Sequence, residues 1–219
     1  FDTGEIVAFE ENRLFTYVLG DASNAYGEFR SGRRMKKAPV FLRRFLFLKP
    51  ATFVVDDTVR VFEPGLDVRW LLHSIGKPEI SQAGILIRDQ QGELACRTLL
   101  PEKVTVNSLE DAGGKSNRQH HRIEIAPAEA GSQTVRFLHV LHARPAGQSD
   151  SVHCQMAVTG KEVALELAAS GLVYRVWLSE DSPGRIAVAT AEGRALAAER
   201  PLAAGILPYT ADGVKLLER

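Results

Sequence analysis

The sequence predicts an all-β fold: a large antiparallel β-sandwich followed by a smaller C-terminal β-sheet domain. Three observations carry this. Short runs rich in Val, Ile, Leu, Phe and Thr alternate apolar and polar residues with a period of two. Breakers fall between most of the runs: Lys49-Pro50, Pro64-Gly65, Pro78, Gln91-Gly92, Gly113-Gly114 and Pro127. No stretch shows a compelling long helix. The chain's 219 residues allow a large β domain plus a small one. A chain this size buries roughly 70–75% of its unfolded surface without staples.

Taken in order, strands are expected at residues 5–10, 14–20, 39–48, 52–62, 68–75, 84–88, 94–99, 104–108, 120–125 and 134–142. Many short strands at close spacing favour an antiparallel sandwich. A polar break containing Pro145 and Gly147 then separates residues 1–145 from residues 150–219. Beyond it, strands are expected at 151–158, 162–168, 172–178, 185–190 and 203–207. Residues 161–169 have helix-forming composition, but Val163, Leu165 and Leu167 alternate, which predicts a strand. There is no internal repeat and no low-complexity tract.

Lys and Arg number 27, as do Asp and Glu, so the formal charge is zero. A nucleic-acid module would show a basic excess. No apolar run approaches the roughly 20 residues that span a bilayer. The chain opens on Phe1 rather than Met and reads as a processed or excised piece, so the missing signal pattern leaves localisation open. Cys96 and Cys154 lack any CxxC neighbour and read as apolar fillers ahead of a disulfide.

Two strands reward a face-by-face reading. In residues 52–62, Phe53, Val55, Asp57, Val59 and Val61 share one face; Val54, Asp56, Thr58, Arg60 and Phe62 share the other. Asp57 therefore sits among apolar residues and needs a partner, because an unpaired buried carboxylate costs several kcal/mol. Arg43 and Arg44 lie in the preceding strand, and Arg44 is the expected partner. In residues 68–75, His73 shares a face with Leu71 and Ile75, which predicts a hydrogen-bonded core histidine rather than a ligand. Trp70, alternating with Val68 and Leu72, and Trp177, after Tyr174-Arg175, also read as core.

The chemistry candidates are few. Zinc wants three or four converging ligands. His139 and His142, like the neighbours His120 and His121, point to opposite faces of a strand, and His153-Cys154 has no second pair. No metal site is expected within this chain. There is no G-x-S-x-G, G-x-G-x-x-G or P-loop, so nucleophilic and nucleotide chemistry have no support. The densest polar cluster is Tyr17, Asp21, Tyr26 and Arg30. Its simpler account is a packed Tyr17 ring and an Asp21 that serves backbone N–H groups of a turn. The basic run Arg30, Arg33, Arg34, Lys36 and Lys37 reads as a solvated loop.

Six stretches in order carry a family resemblance: "YVLGDASNAY", "RRFLFLKPATFVVDDTV", "WLLHSIGKPEI", "GELACRTLLPE", "HRIEIAPA" and "RFLHVLHA". Together they resemble the C-terminal β-sandwich half of heparinase II/III-like polysaccharide lyases, over residues 4–143. The resemblance implies an N-terminal α-toroid elsewhere in the same protein, and cleavage of acidic, uronate-containing polysaccharides by β-elimination. It implies a bacterial periplasmic or secreted setting, with no nucleic-acid partner and no membrane span. In the family most catalytic residues lie in the toroid; a further His and the His/Asp ligands of a structural zinc lie early in the sandwich, in a His-rich stretch upstream of the segment where this chain begins. No catalytic residue, metal ligand or cofactor therefore carries over. Asp57, His73 and Arg44 match structural positions of the family's motifs. Tyr26 and Arg30 are the candidates for lining a substrate cleft shared with the toroid. A non-catalytic carbohydrate-binding module and an assembly module using exposed β edges are the alternatives.

Overall fold

A computed structural model describes residues 3–30, 33–112, 119–129, 131–148, 151–180, 182–207, 210–211 and 214–215. These residues form strands and turns without a helix. The strands are β1 (Glu5–Glu11), β2 (Phe15–Asp21), β3 (Gly27–Arg30), β4 (Arg33–Lys36), β5 (Val40–Leu48), β6 (Thr52–Arg60), β7 (Trp70–Ser74), β8 (Pro78–Ser81), β9 (Gly84–Asp89), β10 (Gly92–Leu100), β11 (Val104–Ala112), β12 (Gln119–Pro127), β13 (Thr134–Pro145), β14 (His153–Thr159), β15 (Glu162–Ala169), β16 (Leu172–Ser179), β17 (Ser182–Thr190) and β18 (Ala195–Pro201). A two-residue ladder, β19 (Thr210–Ala211) with β20 (Val214–Lys215), follows.

An eight-stranded sheet, β1-β2-β5-β6-β13-β10-β9-β8, lies at the centre. Its pairings are antiparallel throughout, as are those of the three-stranded sheet β11-β12-β7 and the five-stranded sheet β14-β15-β16-β17-β18. The three-stranded sheet packs on one face of the large sheet: Trp70, Ile123 and Ile125 meet Val55, Ile85, Ile87, Cys96, Phe137 and Leu141. The five-stranded sheet packs on the other face: Leu165, Leu167, Tyr174, Val176 and Leu178 meet Phe15, Tyr17, Leu46, Leu48, Val54 and Leu138. Side chains of successive residues point to opposite faces, so a strand covered on both sides loses its alternation. Six consecutive residues of β6 show this: Val54 to Val59 are all buried.

Two tyrosines tie the layers. Tyr17 is fully buried and its hydroxyl donates to the Pro183 carbonyl at 3.3 Å. The Tyr174 hydroxyl donates to the Lys49 carbonyl at 2.9 Å, with the Leu14 carbonyl at 3.2 Å. Each buried hydroxyl thus finds an acceptor, as burial requires. Residues 162–169 are a strand, as the alternation predicts. Cys96 and Cys154 are free thiols; burial pushes the Cys96 thiol up to about 12, which leaves it an inert apolar filler.

Four expectations change. The basic run is the hairpin β3–β4 rather than a loop. Residues 203–207 form no strand; Ile206 makes one parallel bridge to Phe9. The last strand of the five-stranded sheet is instead Ala195–Pro201, whose ALAAER sequence has no β period and takes its conformation from pairing with β17. Trp177 faces outward, half-buried, with the Arg185 guanidinium 4.9 Å from its ring centre. It packs as a surface cation–π pair. The Gly113-Gly114 break lies outside the described residues.

Candidate functional site

The β5–β6 hairpin decides the polar chemistry. Its turn at residues 49–51 pairs Leu48 with Thr52, so Arg43 stands opposite Asp57 and Arg44 opposite Asp56. Cross-strand partners share a face. The expected Asp57–Arg44 pair is therefore replaced by two pairs on opposite faces. Toward the three-stranded sheet, Arg43 Nε donates to Asp57 Oδ1 at 2.7 Å and Nη2 to Oδ2 at 2.6 Å. Burial pushes the Asp57 carboxyl up while the Arg43 fork opposes it, and those hydrogen bonds hold the Arg43 proton more tightly.

Toward the five-stranded sheet, Asp56 is fully buried between two arginines. Arg136 donates from Nε to Oδ1 at 2.8 Å and from Nη2 to Oδ2 at 3.0 Å; Arg44 Nη1 donates to Oδ2 at 3.3 Å. Arg44 Nη2 also reaches the Ser179 and Ser182 carbonyls at 2.6 and 2.8 Å, and Arg136 reaches those of Lys161 and Leu178 at 3.0 and 3.2 Å. This network clamps the β16–β17 turn to the large sheet. Arg136 is 80 residues from Asp56, and only the β6–β13 register brings them together.

On the Asp57 face lies a groove of about 1080 Å³, crossing β1, β2, β5 and β6 as far as the start of β7. Its floor is apolar, with Val18, Phe41, Phe45, Val59, Trp70 and Phe137. Asp57 and Arg43 are the charged pair on that floor, and Tyr26, Lys37, Asp67 and Arg69 stand around it. The half-exposed Tyr26 ring rests on Phe41, with centroids 5.1 Å apart, and Arg43 lies 5.7 Å from the Phe41 centroid. Arg69 pairs with Asp67 and Glu124. The arrangement offers a deep apolar surface, one exposed aromatic ring and a guanidinium already held by a carboxylate.

Of the sequence candidates, Tyr26, Asp21 and Asp57 reach the groove. Asp21 accepts the Ser23 N–H at 2.8 Å, the turn role expected of it. Arg30 pairs with Arg33 through the backbone of β3–β4; beyond that it lies outside the described residues. His73 is exposed, which corrects the core reading: Trp70 and Leu72 turn inward from β7, so Leu71, His73 and Ile75 turn out. Arg44 lies in the inter-sheet clamp, away from the groove.

The buried histidines are scattered. His139 Nδ1 meets Thr98 Oγ1 at 3.1 Å and its ring stacks on Trp70 at 3.9 Å, whereas His142 Nδ1 meets Thr52 Oγ1 at 2.9 Å on the opposite face. Burial lowers the His139 pKa to about 3. Among the described residues no group of three or more His, Cys, Asp and Glu side chains could hold a metal ion. Among them, too, no helix is long and apolar enough to cross a membrane. As groove residues, Phe41 went unnamed in the sequence reading, and Arg43 and Lys37 were named there only in other roles. The hairpin register, had the turn length been known, is the signal that would have found Arg43.

No protein-family model matches the chain, and no curated protein matches it. Solved structures do. The heparan sulfate lyase HepC from Pedobacter heparinus superposes with a TM-score of 0.57 at 10% identity, over 80% of this chain and 28% of its own. A mutant of the same lyase gives 0.54 at 13% identity, over the same shares. A heparinase III gene product gives 0.52 at 11% identity, over 80% of this chain and 27% of its own. The chain thus spans under a third of the length of these proteins. At such identities the likeness is one of architecture, and on that ground the chain has a heparinase-like, polysaccharide lyase-type β fold.

Proposed function

We propose that this chain is the β-sandwich part of a heparinase II/III-like lyase acting on acidic, uronate-containing polysaccharides. The carrying observation is the fold likeness to HepC across 80% of the chain, in line with the ordered sequence stretches. In β-elimination a base removes the proton α to the uronate carboxylate. The electron pair forms a C=C bond as the 4-linked oxygen leaves, and an acid protonates that oxygen. We place the base, the acid and any structural zinc outside this chain, with an α-toroid of the same polypeptide as partner and the bacterial periplasm or exterior as setting. What supports a scaffold role is that three titratable groups here are engaged in the fold. His139 is buried neutral, Tyr17 is buried with its pKa raised by burial, and Asp21 serves a turn.

Ultraviolet absorbance of unsaturated uronate, with a panel of acidic polysaccharides, is the test. The 219-residue chain is expected to be silent and the intact gene product active. Product from the chain alone would place the chemistry inside it. Silence from both would favour a carbohydrate-binding or assembly role.

Tyr26 and Arg30 are proposed to touch substrate where the cleft passes the β3–β4 hairpin. The half-exposed Tyr26 ring over Phe41 supports this, since aromatic faces pack against sugar rings. In the intact protein, Tyr26→Ala and Arg30→Ala are each expected to raise KM several-fold with little change in kcat. Unchanged kinetics for both would remove them from the cleft.

A further inference from the structure

β1 is a terminal strand of the eight-stranded sheet, and two unlike neighbours hold it. On one side it pairs with β2, with a register shift between Ile6 and Ala8. On the other side it meets a segment from the far end of the same chain. The Phe9 N–H donates to the Gly205 carbonyl at 3.2 Å, and the Leu207 N–H donates to the Phe9 carbonyl at 2.9 Å. Ile206 thereby lies parallel to Phe9. A terminal strand presents a row of unpaired N–H and C=O groups, and at Phe9 residues 205–207 supply the partner.

This segment is firm at its root and loose at its tip. Leu202 and Ala203 are buried in the core between the eight- and five-stranded sheets, and the Leu202 N–H donates to the Gly184 carbonyl at 3.0 Å. Just before them, Arg200 pairs with the buried Glu10, and its guanidinium lies 5.5 Å from the centre of the Phe15 ring. Further on, Ile206 and Leu207 are 67% and 46% exposed. Their side chains add little burial. Among the described residues, two backbone hydrogen bonds join the tip to β1. Few buried contacts and exposed backbone hydrogen bonds place a segment at the low end of local stability. The residue types agree. Gly205 has no side chain to pack, and Leu207 precedes Pro208, which biases it toward extended backbone.

We propose that residues 204–207 are a strap that opens and closes on β1, and that its closure holds β1 against β2. Closed, the strap gives β1 a partner on both sides at Phe9. When the tip lifts, Leu202, Ala203 and the Arg200–Glu10 pair keep the root in place, so closure is a local event and leaves the five-stranded sheet where it is. β1 is then held by β2 alone, across the register shift, and peels more often. The groove feels this directly. Glu5 and Ile6 of β1 line it beside Val18, Gly20 and Asp21 of β2, so the strap steadies that wall from the side of β1 that faces away from β2.

Amide hydrogen exchange, read by mass spectrometry on peptic fragments, is the test. Leu207→Pro removes the N–H that the Phe9 carbonyl accepts, at a position whose backbone is already biased to the extended form. Leu207→Ala shortens the same exposed side chain and keeps the N–H. The expected result is exchange at least tenfold faster across residues 5–11 in Leu207→Pro, within twofold of wild type in Leu207→Ala, and unchanged in β6 and β13 for both. Wild-type exchange in β1 of Leu207→Pro would overturn the proposal. A rise that reaches β6 and β13 would also overturn it, since the segment would then belong to the global fold. Equal rises in the two variants would place the hold in the side chain and overturn it as well. A chain ending at Ala203 keeps the root and is expected to show the same rise confined to β1, whereas a chain ending at Leu207 keeps the strap and is expected to match wild type. Equal exchange from these two shortened chains would overturn the strap.

Discussion

Asp56→Asn is expected to destabilise the folded protein by roughly 3–5 kcal/mol, the usual cost of removing one partner from a buried ion pair. Asp56 is fully buried, and its two partners, Arg44 and Arg136, are 3% and 10% exposed. With the carboxylate neutralised, two guanidinium charges remain in the interface between the large and five-stranded sheets. Water reaches Arg44 hardly at all, and Arg136 only at its margin, without opening that interface. The carbonyls of Ser179, Ser182, Leu178 and Lys161, which the same arginines satisfy, would lose their fixed donors. Against a total stability of about 5–15 kcal/mol for a typical domain, this is a large share. Asp57→Asn is the informative comparison. Its partner Arg43 is half-exposed in the groove and can turn to solvent, so the loss should be clearly smaller. Urea unfolding of both variants checks this; equal losses would show that the clamp has no special role.

The second large effect is acid sensitivity through His139. Burial holds its pKa near 3, below the unfolded value of 6.5, and the Arg43 charge acts in the same direction. Between those two values the unfolded chain binds a proton that the folded chain does not. Stability therefore rises with pH in this window. The His139 contribution is intact above pH 6.5 and is lost progressively as pH falls toward 3. The slope approaches about 1.4 kcal/mol per pH unit, so roughly 2 kcal/mol is gone by pH 5. His139→Gln, which can keep a hydrogen bond to Thr98 without titrating, is expected to flatten the unfolding free energy between pH 5 and 6.5 by close to one proton. Denaturant titrations at several pH values measure it. An unchanged slope would mean that His139 is not the group responsible.

The class and most strand positions of this protein are legible in its residues alone. A period of two is a local property, written in runs such as Val163, Leu165 and Leu167, and it survives whatever the strand later packs against. It also showed that Asp57 faces apolar neighbours and must have an arginine partner, because the penalty for a bare buried carboxylate does not depend on topology.

Which arginine that is follows from strand pairing and not from the local pattern. Register depends on the turn at residues 49–51, and a slip of one residue exchanges Arg43 for Arg44 and one face for the other. His73 followed the same logic: alternation groups it with Leu71 and Ile75, but which group turns inward was settled by Trp70 packing on His139. The Asp56 clamp needed Arg136 from 80 residues away, and β18 needed β17 beside it to become a strand at all. The groove was the least legible feature, because its lining is gathered from β1, β2, β5, β6, β7 and β13 by strand pairing. Such pairings join residues far apart in the chain, and no local pattern encodes them.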